Sequence, residues 1–208
     1  MGKRTGPAQD VVITGMPATD GQDARAAFIE AMSRAVTGVT IVTTAGEAGL
    51  MGLTVSAMCS VSADPPMLLV CINRRNPLAG VIPRHRVFAV NVLRADQRRV
   101  AEVFAGRPRW GKPYDFTVAT WETAVTGSPL LAGAVARFDC VLDAMHEAGT
   151  HRIFLGRVVS SSVSPGTPLV YARRGYGELL AFPREVQAAA LPPLHVIEDE
   201  EDHLEDWE

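Results

Sequence analysis

The sequence predicts a mainly β protein, a barrel of six or seven short strands with a few short helices. Three observations point there. Apolar runs of five to eight residues recur between Gly, Pro and Asp turn signals. Several of these runs alternate with period two, as half-buried strands do. The regular strand–helix alternation of a doubly wound fold is absent, and no internal repeat is visible.

Taken in order, residues 1–22 mix Gly, Pro, Thr and Asp and read as a flexible lead-in. Asp23 is placed to cap a helix over about 24–36, with Phe28, Ile29, Met32 and Val36 on one side and Glu30 and Arg34 spaced as an ion pair. Gly38 ends it. VTIVTT (39–44) reads as a strand, AGEAG as a turn, and GLTVSAMCSVSADPP (52–66) as an extended segment closed by Asp64-Pro65-Pro66. MLLVCIN (67–73) is a buried strand, followed by a helix near Pro77–Ile82 and the strand VFAVNVL (87–93). DQRRVAEVFAG (96–106) is a helix with a glycine stop. GAVARFDCVLDAMHE and HRIFLGRVVSSSVS form two strands joined by a tight turn at Ala148-Gly149-Thr150, and PLVYARRGYGEL adds one more. The domain is therefore expected over 23–182. From residue 183 the chain becomes Ala/Pro-rich and then acidic, the composition of a disordered tail.

Composition narrows the function. The 208 residues are 47% hydrophobic and 21% charged, as in an ordinary globular domain, and the 6% aromatic content argues against a stacking platform for nucleic acid. The net charge of −3 hides an asymmetry: the last fourteen residues hold eight acids, so the remainder carries 15 acids against 20 bases. A mildly basic body suits an anionic small molecule. The three cysteines, Cys59, Cys71 and Cys140, form no CxxC, lie in apolar runs and read as buried free thiols in a reducing cytosol. With neither a signal peptide nor an apolar run of the ~20 residues that cross a membrane, the expected location is the cytoplasm.

Several motifs mislead. HEAGTH (146–151) spaces its histidines five apart, about 140° around a helix, with a glycine between them, so no metal site is expected. GRPRWGKP (106–113) has Walker-like glycines, but Pro113 stands where Ser or Thr must hold Mg²⁺. Neither GxGxxG nor GxSxG occurs. The informative stretch is 52–66. Thr54, Ser56, Ser60 and Ser62 share one parity, broken only by Met58, against Leu53, Val55, Ala57, Cys59 and Val61 on the other. Such an uncharged hydroxyl face is either a solvated surface or the seat of an acceptor-rich ligand.

The combination TGVTIVTT, GLTVSAMCSVSADPPMLLVCINR, VFAVNVL, FDC, GTHRIFLGRV and PLVYARRGY resembles the short-chain flavin reductases. The likeness is greatest to reductase components of two-component aromatic monooxygenases of the 4-hydroxyphenylacetate 3-monooxygenase type, and it covers about 26–180. The resemblance implies an FMN-binding split β barrel of Greek-key type, a homodimer, and hydride transfer from NADH or NADPH to FMN or FAD. Reduced flavin would then leave for a partner oxygenase. Other acceptors on the same site, a corrin cobalt or ferric iron, and a flavin-binding module without turnover remain open.

Carried over, the cofactor-binding segment is Thr54, Val55, Ser56, Ala57, Ser60, Val61 and Ser62. Asn73, Arg74 and Arg75 end the next strand, where the family follows Asn-Arg or Asn-Lys with small hydroxyls and this chain has Arg75-Asn76-Pro77. The two arginines are either phosphate ligands or solvated charges. Asn91 is a flavin neighbour or a strand hydrogen-bonder, and Phe104 covers the flavin edge or packs in the core. Tyr176 is a candidate contact of cofactor or donor. His151 matches the family's histidine turn beside flavin and nicotinamide, and is the candidate catalytic residue; otherwise it is a surface turn histidine.

Overall fold

Twelve strands and three helices make up the computed structural model, which describes residues 21–180. Helix α1 (Gly21–Arg34) opens the chain, followed by β1 (Thr37–Gly38), β2 (Thr40–Thr44), β3 (Met51–Val55), β4 (Met58–Ala63) and β5 (Pro66–Asn73). Helix α2 (Leu78–His85) leads to β6 (Val87–Val92), then a short 3-10 turn and α3 (Arg98–Phe104). A ribbon of β7 (Trp121–Glu122) and β8 (Leu130–Leu131) precedes the long hairpin β9 (Ala136–Ala148) and β10 (His151–Val163). The hairpin β11 (Leu169–Ala172) and β12 (Gly175–Glu178) closes the series. The lead-in up to residue 20 and the tail from 181 lie outside the described residues.

Seven strands form one antiparallel sheet in the order β3-β2-β6-β9-β10-β5-β4. Its two margins, β3 and β4, are consecutive in sequence. At the junction the Ala57 carbonyl accepts the Cys71 N–H at 3.0 Å, so the chain steps from pairing with β2 to pairing with β5 and closes the sheet into the expected split barrel. Inside sit Val42, Val70, Ile72, Phe88, Val90 and Phe154, all fully buried. A second cluster lies outside the barrel wall, where Val39, Ile41 and Leu93 meet Val103 and Phe104 of α3, together with Leu131 and Leu169. This explains VTIVTT: every residue of β2 is buried because α3 covers its outer side.

The glycines place two elements. Gly52 lies under α3; a Cβ there would meet the Phe104 ring at 2.7 Å. Gly149, at φ 55°, makes the two-residue turn between β9 and β10, as its sequence signals.

Three expectations need correction. Helix α1 starts at Gly21, so Asp23 sits in its first turn, where a carboxylate complements the helix dipole, instead of capping it. The Glu30–Arg34 pair forms at 3.0 Å, but no residue of α1 is buried, and Phe28 and Val36 are each 65% exposed. The helix is amphipathic as read, yet no surface among the described residues covers that side. PLVYARRGYGEL is two strands, not one, folded at Arg173-Arg174.

Candidate active site

The hydroxyl segment does not present one face. Val55 and Met58 both point into the barrel although they are three residues apart, so the alternation slips by one residue at Ser56–Ala57. A second slip between Ser60 and Ser62 is a bulge against β5. Thr54 therefore lies on the outer side of the wall, while Ser60 pairs with Leu68 and shares its inner side. The expected single row is thus split by two irregularities that a strict period of two does not anticipate. Thr54, Val55 and Ser56 line one cleft; Ser60 and Ser62 line another, with Met58, Phe138 and Val158. Val61 is 47% exposed, and Ala57 contributes its carbonyl to barrel closure.

The first cleft has a volume of about 440 Å³. Thr54, Val55 and Ser56 form one wall, with Val39 beside them. Thr54 donates its hydroxyl to the Ala101 carbonyl at 2.7 Å and so ties β3 to α3. Ser56 is exposed in the cleft. Tyr171 and Tyr176 form an aromatic side, their ring centroids 5.3 Å apart. Arg107, Arg109 and Arg174 contribute three guanidinium groups, none in an ion pair among the described residues. Glu102, the one acid lining the cleft among the described residues, is held by Arg98 at 2.9 Å. Arg98 also lies 5.5 Å from the Tyr176 ring centroid, a cation–π distance. Burial, then the Glu102 charge, raises the Tyr176 phenol above its usual value and keeps it protonated.

Arg174 reaches this cleft through a strained turn. Arg173 and Arg174 have φ of 50° and 62°, the left-handed pair that a two-residue hairpin of this type requires and that Asn-Gly usually supplies.

A second group of expected residues gathers at the far end of β5. His151 faces Asn73 across the strands, and the Arg74 N–H donates to the Thr150 carbonyl at 3.0 Å. Asn73 accepts the Arg75 N–H with its side-chain oxygen at 3.0 Å, and Arg74 and Arg75 are exposed. His151 is exposed too, its Nδ1 2.9 Å from the Thr150 hydroxyl. Buried Phe154 and Gly156 fix the inward parity of β10, so His151 is on the outer face. Ala57, Cys71 and Ile153 lie in one row across the barrel closure, and Asn73 and His151 stand two residues beyond that row. The two groups of residues thus flank the same junction.

Two candidates stay away from any cleft. Asn91 is fully buried; its amide donates to the Ile41 carbonyl at 3.1 Å and its oxygen accepts the Leu131 N–H at 2.7 Å. That amide satisfies backbone groups where β8 meets β2, the strand hydrogen-bonding role. Phe104 is fully buried, edge-on to Phe116 at 4.9 Å and to Trp121 at 5.5 Å, and is core. Conversely, Arg107, Arg109, Glu102 and Tyr171 were not legible as site residues. Arg107 and Arg109 sit in GRPRWGKP, whose only sequence reading was the rejected phosphate loop. No group of three or more His, Cys, Asp or Glu among the described residues is arranged to hold a metal, and no described helix is long and apolar enough to cross a membrane.

The cleft has the charge and lining of a site for an anionic small molecule with a planar ring. Unpaired guanidiniums suit a phosphate, tyrosine rings and valines suit a planar ring system, and the volume is that of a small-molecule pocket.

Comparison with known proteins gives the family. Residues 32–180 match the flavin reductase like domain. The chain is 38% identical over 156 residues to FMN reductase (NADH) RutF of Serratia proteamaculans, covering 74% of this chain and 87% of that protein. Among solved structures, BorF, the flavin reductase component of a bacterial two-component tryptophan halogenase, superposes with a TM-score of 0.67 at 35% identity, covering 78% of this chain and all of that one. The NADH:FAD oxidoreductase SgcE6 of Streptomyces globisporus, in complex with NAD and FAD fragments, gives 0.69 at 29% identity over 79% of this chain and 98% of its own. On sequence and fold alike, this chain belongs to the flavin reductase like domain family.

Proposed function

We propose that this protein is an NADH-dependent flavin reductase that uses FMN and supplies the reduced flavin to a separate oxygenase. The observation that carries the proposal is the cleft at Thr54–Ser56, which is also lined by two tyrosines and by three guanidiniums without an ion pair among the described residues. The curated relatives named as NADH-dependent FMN reductases favour NADH and FMN among the possible pairs. Hydride transfer from nicotinamide to flavin is chemistry owned by the two cofactors; the protein contributes binding, orientation and exclusion of water. In this reading Arg107, Arg109 and Arg174 hold the phosphate and Ser56 donates to a flavin acceptor. The tyrosines bound the ring. Thr54 acts indirectly, by locking α3 against β3. Across the barrel closure, His151 orients the nicotinamide by hydrogen bonding and needs no change of protonation.

Two apolar surfaces that no described residue covers support a homodimer. Leu69, Cys71, Ile153 and Leu155 face outward in matched rows of β5 and β10, giving this part of the wall apolar residues on both sides, and the exposed side of α1 adds Phe28, Ile29 and Met32. The three thiols are free, but only Cys140 is buried as expected; Cys59 is exposed on β4 and Cys71 half-buried on the outer side of β5, and free thiols of this kind suit a reducing cytoplasm.

The test is NADH oxidation by the purified protein with no flavin, with FMN and with FAD. Rapid FMN-dependent turnover is expected, with slower use of NADPH. No turnover with either nicotinamide and either flavin would overturn the proposal.

A further inference from the structure

We infer that the shallow cleft between Arg99 and Trp110, beside α3, is a subsite for an adenosine diphosphate moiety, the group shared by NADH and FAD. The inference rests on the flavin reductase reading and extends it to a part of the surface outside the flavin cleft described above.

Four observations carry it. This cleft, of about 250 Å³, shares Glu102 and Arg109 with the flavin cleft, so a ligand seated at Ser56 and continuing past Arg109 arrives at Trp110. Trp110 is 73% exposed, and Arg109 lies 5.8 Å from its ring centroid. An exposed indole backed by a guanidinium offers an open face on which a base can stack. Arg99 and Arg109 form no ion pair among the described residues, whereas Arg98 is committed to Glu102 and Tyr176. Two uncompensated guanidiniums beside a stacking face match a diphosphate followed by a base. Finally, one Glu102 oxygen takes the Arg98 bond and the other has no partner among the described residues. That oxygen can accept from a ribose hydroxyl and would repel a 2′-phosphate, which directs the subsite to ADP rather than its 2′-phosphorylated form. The same Arg and Trp residues are also common at protein interfaces; the nucleotide is favoured because the subsite continues directly into the flavin cleft.

The probe is ADP, titrated calorimetrically into the full-length protein, its Trp110→Ala variant and its Arg99→Ala variant, with FMN as the control ligand. ADP is expected to bind the wild type and to bind either variant about tenfold or more weakly, the scale of one base stack. FMN affinity should stay within about twofold. Kinetics then identify the natural source. A raised KM for NADH with kcat on FMN retained assigns the subsite to the hydride donor; weaker FAD binding at unchanged FMN binding assigns it to the flavin dinucleotide. Absence of ADP binding to a wild type that turns over NADH and FMN would overturn the inference and leave the reductase reading intact. So would equal ADP binding by wild type and variants, including the case in which the variants lose only delivery to the oxygenase. A wild type without NADH:FMN turnover would instead sink the reductase reading itself.

Discussion

Thr54 and Ser56 look equivalent in the sequence, two hydroxyls two residues apart, but only one of them is free to meet a ligand. Thr54→Val should remove the bond to the Ala101 carbonyl and lower stability by about 1 kcal/mol, the usual net worth of such a bond. Flavin affinity should change by less than about twofold. Ser56→Ala should do the reverse, weakening flavin several-fold with thermal stability unchanged; melting curves and flavin titrations on both variants decide. His151→Ala should lower the efficiency of hydride transfer by about 10–100-fold, the scale of misplaced reactants, and shift flavin affinity by less than about tenfold. A variant that loses flavin yet transfers hydride normally when saturated would make His151 a flavin anchor. Cys140 makes a different kind of statement. Burial, then the neighbouring Asp139 charge, pushes its thiol up to about 12 from an ordinary 9.0. Native protein should therefore be alkylated at exposed Cys59 and not at Cys140, as mass mapping can show. Because the folded state holds that proton more tightly, its stabilising share is full below pH 9.0 and is lost as pH rises through about 12. At this scale the sequence was a partial guide. It marked which segment carries the hydroxyls, since period and residue type are local. It did not reveal which hydroxyls are spent on the backbone, because the Ala101 carbonyl lies 47 residues away.

Turn chemistry decided how much of each element could be read. The β9–β10 hairpin was plain because Gly149 supplies the positive φ its turn requires. The β11–β12 hairpin was hidden because its turn is Arg173-Arg174, a pair that carries no turn signal and adopts the left-handed region under strain. That strain has a measurable counterpart. Arg173→Gly should raise stability by about 1 kcal/mol as the left-handed penalty is removed. Arg174→Gly should give a similar gain in the melt but weaken flavin binding, since of the two only Arg174 lines the cleft proposed for the flavin. If both variants bound flavin equally well, the strained turn would have no part in the site. Helix α3 was legible as an element from its apolar spacing. Its role as the lid of the second core was not, because Gly52 under Phe104 is a packing requirement between distant segments.

For the whole molecule, the barrel class followed from many short strands, while closure itself depends on the one-residue slip at Ser56–Ala57 that alternation does not predict. The outward apolar rows of β5 and β10 should be covered by a second copy. Sedimentation at micromolar concentration should show a dimer, and Ile153→Arg should give monomers with diminished turnover. An active wild-type monomer would refute this. The closure carries a further consequence for integrity. Every other neighbour in the seven-stranded sheet is held by a ladder along its length, but the margins β3 and β4 are joined through a two-residue seam. A protease that nicked the chain between Ser56 and Ala57 would leave those ladders and the Ala57–Cys71 hydrogen bond untouched but cut the one covalent tie between the two margins. Those margins already lack a ladder partner on their outer sides, and once they can part, each offers its amides and carbonyls to a strand of the next molecule.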